Sequence, residues 1–217
     1  MLRMVRGIKN RFGAADEVGC FELTDGGIVS LPDPSGLFVT RRDGTVPGTA
    51  VTVVVEGKRP LLGEIQALVA DSALANPRRA VSGLDSSRVA MVLAVLERRG
   101  NVKLAGSDVY TATVGGMRVV EPAADLSVAL AVASAAGDLL LPPHTVAIGE
   151  VGLAGEVRQV SGLRRRLAEA ARLGFRHALV PPESGAENAP EGTGSCLPGM
   201  RLQVVSDLAT ALRWLRS

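Results

Sequence analysis

The chain has 217 residues, with 24 Lys and Arg against 22 Asp and Glu, 47% hydrophobic residues and 3% aromatic ones. That balance suits a folded core rather than disorder, and no run reaches the roughly 18 apolar residues of a membrane span. Residues 1–13 are basic without an apolar h-region, Cys20 and Cys196 form no CxxC or zinc pattern, and four Phe, one Tyr and one Trp are too few for the stacking track of a single-strand reader. Two lone cysteines fit a reducing cytosol.

Residues 1–45 are polar and turn-rich. A strand is expected at Glu17–Leu23, then a turn at Thr24–Gly27 and a Pro-rich stretch at Leu31–Gly36. Such a segment builds little core of its own and reads as the edge of something larger. From Gly48 the signals strengthen. Ala50–Glu56 is a β-branched strand and Gly63–Ala70 a second. Asp85–Arg99 is a helix with Val89, Val92, Leu93 and Leu96 on one face, a cap at Asp85, Ser86 or Ser87, and Gly100 past its end. Val109–Val114 and Met117–Val120 read as a hairpin across Gly115-Gly116. Asp125–Ala136 is a helix with almost no charge, expected to be buried on most sides. Thr145–Val151 and Glu156–Val160 flank a turn at Gly152–Gly155. Gly162–Leu173 is a helix with Leu163, Leu167, Ala170 and Leu173 on one face. Strands at His177–Val180 and Arg201–Val205 and a helix at Asp207–Leu215 complete an α/β two-layer domain, with a loop-rich connector between those strands.

No GxxxxGK[ST] and no strand-following GxGxxG occurs, so no phosphate cradle can be named; Gly44–Thr49 reads as a turn. Lys9 and Arg11 in Lys9-Asn10-Arg11-Phe12-Gly13 fall on one face of an extended strand, where they could meet a polyphosphate together or form a solvated basic edge. Two basic clusters stand out. One is Arg88, Arg98, Arg99 and Lys103 against Glu97; the other is Arg158, Arg164, Arg165, Arg166, Arg172 and Arg176 against Glu169. Either phosphate contact or inter-subunit pairing with Glu150, Glu156, Glu183 or Glu187 would use them. His144 and His177 are read as structural. Ser127, Ser134 and Ser161 are read as helix-interior or cap hydroxyls, and Trp214 as a core or subunit-interface residue.

Residues 148–157 (IGEVGLAGEV) and 161–167 (SGLRRRL) resemble the proteolytic domain of the Lon protease family, with its TGE-x-x-L-x-G-x-V and GGLKEKL blocks. The nucleophile block DGPSAG is replaced by Glu121-Pro122-Ala123-Ala124-Asp125-Leu126. The resemblance puts Ala124 on the serine's position and Arg164 on the lysine's. Alanine has no oxygen, and a guanidinium stays protonated and cannot act as a base. The only lysines are Lys9, Lys58 and Lys103, none in this block. The implied fold is a Lon protease-like domain of the ribosomal protein S5 domain 2-like type, without catalytic residues and without a metal site.

Together with KNRFG at 9–13, EVG-x-FE at 17–22, RPLLGEIQALV at 59–69 and GLD at 83–85, this block is similar over nearly the whole chain to the RadA (Sms) family of bacterial DNA repair proteins. The resemblance implies residues 1–47 as the KNRFG segment and the β-rich end of a RecA-like ATPase core, and residues 48–217 as the Lon-like domain. The chain is then expected to be a C-terminal part of a longer protein, with ATP, Mg2+ and structural zinc held in the absent N-terminal part and none bound here. The resemblance further implies an ATP-driven DNA branch-migration motor in recombinational repair, cytoplasmic and hexameric, working beside a recombinase. Lys9 and Arg11 would contact nucleotide held by a neighbouring subunit. Arg98, Arg99, Lys103, Arg164, Arg165 and Arg166 would contact DNA without sequence preference. The rivals are a pure ring-assembly domain, and a Lon-type serine peptidase with a displaced dyad.

Overall fold

The computed structural model describes residues 2–6, 18–30, 39, 46–182 and 199–217. Lys9 and Arg11, Cys196, Glu183 and Glu187 lie outside the described residues.

Near the N-terminus, β1 (Leu2–Arg6), β2 (Val18–Thr24) and β3 (Gly27–Ser30) form a three-stranded antiparallel sheet in that order. The turn between β2 and β3 falls where Asp25-Gly26 predicts it. Gly27, at φ 119°, begins the return strand. All four residues of β3 are exposed, as expected of a segment without its own core.

The main body is a seven-stranded mixed sheet. Its strands are β4 (Thr49–Glu56), β5 (Arg59–Asp71), β6 (Arg79–Ser82), β7 (Ser107–Thr113), β8 (Thr145–Ala147), β11 (His177–Val180) and β12 (Arg201–Val204), in the spatial order β12-β11-β8-β4-β5-β7-β6. β4–β5 and β5–β7 are antiparallel and the other pairings parallel. Two short strands, β9 (Glu150–Val151) and β10 (Val157–Arg158), make a separate hairpin. The helices are α1 (Ser86–Gly100), α2 (Asp125–Gly137), α3 (Leu163–Arg172) and α4 (Leu208–Leu215).

The side-chain alternation of the strands feeds two cores. Ala50, Val54, Leu61 and Ile65 point to one face, where they meet α1, α2 and α4. Val53, Leu62, Val146, Ile148, Ala178 and Val180 point to the other, where Leu167 and Ala170 of α3 cover them. α2 is the central helix: Leu126 through Ser134 are all buried, which explains its lack of charge.

Two local expectations change. α1 does start at an Asp85 cap, whose carboxylate accepts the N–H of Arg88 at 2.9 Å. It ends on Asn101 in the left-handed region, however, not on Gly100. Gly100 is the last helical residue, packed against the tip of Leu212, whose Cδ1 would lie 2.7 Å from an added Cβ. The hairpin expected across Gly115-Gly116 does not form. β7 already has β5 on one side and β6 on the other, so no edge is open to a returning strand. Instead Val119 donates its N–H to Gly83 O at 2.7 Å and bridges to Leu84.

Candidate functional site

The segment in place of the nucleophile block enters α2 through a single 3-10 turn, Pro122–Ala124. It is stitched to the strand beside it in both directions. Gly149 donates its N–H to Ala123 O at 2.9 Å, and Leu126 donates to Gly149 O at 3.1 Å. Ala124 is 3% exposed, and its carbonyl accepts the hydroxyl of the fully buried Ser127 at 2.7 Å. Ser134 is likewise committed, accepting the N–H of Gly48 at 2.8 Å. Among the described residues, the hydrogen bonds of neither serine involve an amine.

The two carboxylates flanking Ala124 are bound by arginines. Glu121 accepts both Nη groups of Arg166, at 2.7 and 2.8 Å, and also the N–H of Val55 at 2.8 Å. Asp125 accepts Nε of Arg88 at 3.0 Å, a second contact from Arg88 Nη2, and the N–H of Val151 at 3.1 Å. Burial pushes the Asp125 carboxyl upward, while the Arg88 fork and the Val151 N–H pull it down; the hydrogen bond to Asp125 raises Arg88 further. Glu150 lies 3.7 Å from the same Arg88 Nη2. The segment around Ala124 is therefore built as an ion-pair brace joining α1, α2, α3, β4 and the β9–β10 hairpin.

Arg166 corrects the sequence reading. The expectation that it contacts DNA beside Arg164 and Arg165 does not hold, because it is 2% exposed. Besides Glu121, its guanidinium donates to Val53 O at 2.6 Å and Ser161 O at 3.0 Å. The periodicity of α3 held the signal, because Arg166 stands three residues after Leu163 and four before Ala170, on the apolar stripe. Its counter-charge Glu121, 45 residues away, had no such signal.

The basic clusters also thin out. Arg88 pairs with Asp125, Arg158 with Glu156, and Arg172 with Glu169. Its own backbone N–H, then Arg158, hold Glu156 below the usual carboxylate range against the opposing effect of burial. Glu150 and Glu156, candidates for inter-subunit pairing, thus face arginines of their own chain. Arg98, Arg99 and Lys103 are exposed around the end of α1 and form no ion pair among the described residues. The stem of Arg99 rests over Gly155 of the hairpin, where an added Cβ would lie 3.2 Å away. Arg164 and Arg165 are exposed in the first turn of α3. Because α1 and α3 pack on opposite faces of the sheet, the exposed cations make two surfaces and not one.

His144 sits in the left-handed region at φ 57°, its ring edge-on to Phe175 with centroids 6.3 Å apart. Trp214 packs half-buried against the first core.

A family model described as subunit ChlI of Mg-chelatase matches residues 115–184, which run from the end of β7 through α2, the hairpin and α3 to just past β11. Over longer stretches the chain is similar to proteins named DNA repair protein RadA. With that of Mycolicibacterium smegmatis it is 61% identical over 191 residues, 88% of this chain and 40% of that protein. With that of Mycobacterium tuberculosis H37Rv it is 54% identical over 214 residues, 99% and 43% of the two chains. With that of Escherichia coli K12 it is 48% identical over 190 residues, 88% and 41%. The chain spans about two-fifths of the length of these relatives.

Proposed function

The chain belongs to the RadA family of bacterial DNA repair proteins, and from that premise we propose that it is a non-catalytic module that joins subunits and holds DNA in an ATP-driven branch-migration motor of recombinational repair. In this reading residues 48–217 are a Lon-like domain of the ribosomal protein S5 domain 2-like type, kept for shape. Residues 1–47 belong with an ATPase core. ATP, Mg2+ and structural zinc are held by the remaining length of the relatives. Lys9 and Arg11 deliver positive charge to a nucleotide on the next subunit of a cytoplasmic hexameric ring, where charge develops as the phosphoryl group leaves. A recombinase is the expected partner.

Two observations support the absence of peptidase chemistry. Ala124 is buried and carries no hydroxyl, and the flanking Glu121 and Asp125 are consumed by arginines. The observation that carries the DNA half is the trio Arg98, Arg99 and Lys103, exposed at one helix end without internal partners among the described residues. Arg164 and Arg165, on the opposite helix layer, are the second DNA surface. Cations held this way contact phosphates and read no bases.

The test is fluorescence anisotropy with a labelled duplex across a salt series. Each phosphate contact contributes about −0.9 to the slope of log affinity against log salt, so three give roughly −2.7. Reversing Arg98, Arg99 and Lys103 together to Glu should flatten the slope by that amount. Salt-independent binding, or a triple variant that binds like the parent, refutes the assignment. A chain that forms salt-sensitive oligomers in sedimentation yet never binds duplex is the pure assembly domain instead.

A further inference from the structure

Among the described residues β12 is the last strand on its side of the sheet, and beside it lies a cavity of about 380 Å3 between that strand and α4. Leu140, Pro142 and Trp214 make its apolar wall, and His177, Arg201 and Gln203 its polar side. Among the described residues, no Asp or Glu lines it. His177 and Arg201 are in-register partners on parallel strands, so their side chains stand next to each other on one face. Arg201 is exposed, and its guanidinium makes no hydrogen bond or ion pair among the described residues. Leu140 is 52% exposed at the rim, although it is a large aliphatic side chain.

The strand itself adds a second feature. Arg201 and Val205 turn their N–H groups inward, to Arg176 O at 2.7 Å and Val180 O at 2.8 Å. By the alternation of a parallel ladder, Leu202 and Val204 turn theirs outward, where no described strand pairs with them. An open ladder beside an apolar pocket is the arrangement by which an extended peptide adds as a strand and places one side chain in the pocket. The charge of the lining selects among peptides.

We propose that the β12 edge and the adjoining cavity form a docking site for an extended, acidic segment of a partner protein that carries one bulky apolar side chain. The anchor enters between Leu140, Pro142 and Trp214. Carboxylates beside it meet Arg201 and His177. The backbone pairs with Leu202 and Val204. The size suits one large side chain with its neighbouring backbone, near the lower end of the usual range for ligand pockets. The lining includes none of the cations at the end of α1, and the proposal does not depend on the DNA reading.

The chain's single tryptophan, Trp214, reports on the cavity directly. The probe is a short peptide of alternating Asp and Val with one central Phe, containing no Trp or Tyr. It should produce a saturable change in Trp214 emission, matched by anisotropy of the same peptide carrying a fluorophore. Arg201→Glu should weaken binding at least tenfold. Leu140→Asp, a change at an exposed position that leaves the core intact, should weaken it by a similar factor, and circular dichroism checks that both variants are folded. The Arg98, Arg99 and Lys103 triple reversal should bind the peptide like the parent. A version with Lys in place of Asp, and one N-methylated at alternate amides, should both fail to saturate. The proposal is overturned if either control peptide binds equally well, if the two variants bind like the parent, or if no peptide changes the signal. It is also overturned if oligothymidylate competes for Trp214 where the acidic peptide does not, which would make the cavity a nucleotide site.

Discussion

Replacing Arg166 with Ala should cost the fold much and DNA contact little. The guanidinium makes four hydrogen bonds, to both carboxylate oxygens of Glu121 and to the carbonyls of Val53 and Ser161. Removing it strands a partly buried carboxylate and two acceptors. Breaking a buried pair by deleting one partner costs about 3–5 kcal/mol, against a typical total stability of about 5–15 kcal/mol. With a urea slope of roughly 2 kcal/mol per molar, a loss of about 4 kcal/mol moves the unfolding midpoint down by about 2 M. Arg166→Met combined with Glu121→Leu removes both charges together and should recover at least half of that loss, because neither is then left unpaired. The assay is equilibrium urea unfolding followed by circular dichroism and Trp214 emission, closed as a double-mutant cycle. Duplex binding by the still-folded Arg166→Lys variant should match the parent. A stability loss below about 1 kcal/mol in Arg166→Ala, or a tenfold loss of DNA affinity in Arg166→Lys, would refute the brace and restore Arg166 to the phosphate-contacting surface.

Three further outcomes are expected. Asp207 caps α4 by accepting the N–H of Thr210 at 2.7 Å, so Asp207→Ala should cost about 1 kcal/mol at neutral pH. Burial pushes the Asp207 carboxyl up, but the Thr210 N–H and hydroxyl, Ser206 and Arg213 together hold it below its ordinary value. A depressed carboxylate stabilises above its unfolded pKa and loses that contribution as pH falls through its folded pKa, so parent and variant should converge in acid, which thermal melts against pH will check. Gly100→Ala should change stability by less than about 1 kcal/mol, since the 2.7 Å approach is to the tip of the Leu212 side chain, which can shift, and helix propensity returns at most about 1; a loss of several degrees in melting temperature would show that Leu212 cannot move. A fluorophosphonate probe should leave every serine unlabelled, and labelling of Ser127 or Ser134 would bring back the displaced-dyad peptidase.

What was legible in the chain follows the range of the forces involved. α1 with a cap among Asp85, Ser86 and Ser87, the nearly uncharged α2 and the strand at Ala50–Glu56 are readable because capping and periodicity are local. The hairpin expected after β7 is absent, although Gly115-Gly116 carries a turn signal whatever lies beyond it. Only the sheet order shows that β7 has no free side. β1 was missed, being five residues whose partner starts twelve positions further along the chain. At the candidate site, the missing serine and lysine were legible residue by residue. That Glu121 and Asp125 had become structural anions was not, because their partners Arg166 and Arg88 come from helices 45 and 37 residues away. The cation counts failed for the same reason: a run of arginines shows charge, and only packing shows which ones are already neutralised.

The Arg166 brace also bears on the order in which the chain assembles. Its bond to Val53 spans 113 residues of sequence and its pair with Glu121 spans 45. Neither can close until the central strands are aligned and α3 has docked on them, because closing such long loops is unfavourable before other contacts hold the ends. We expect the brace to close late in folding, and refolding and unfolding kinetics of Arg166→Ala check this. A contact of that kind leaves the refolding rate nearly unchanged and governs how fast the native state opens. The pair between α3 and the loop before α2 would then act as a latch on the lifetime of the folded chain, set by one buried residue.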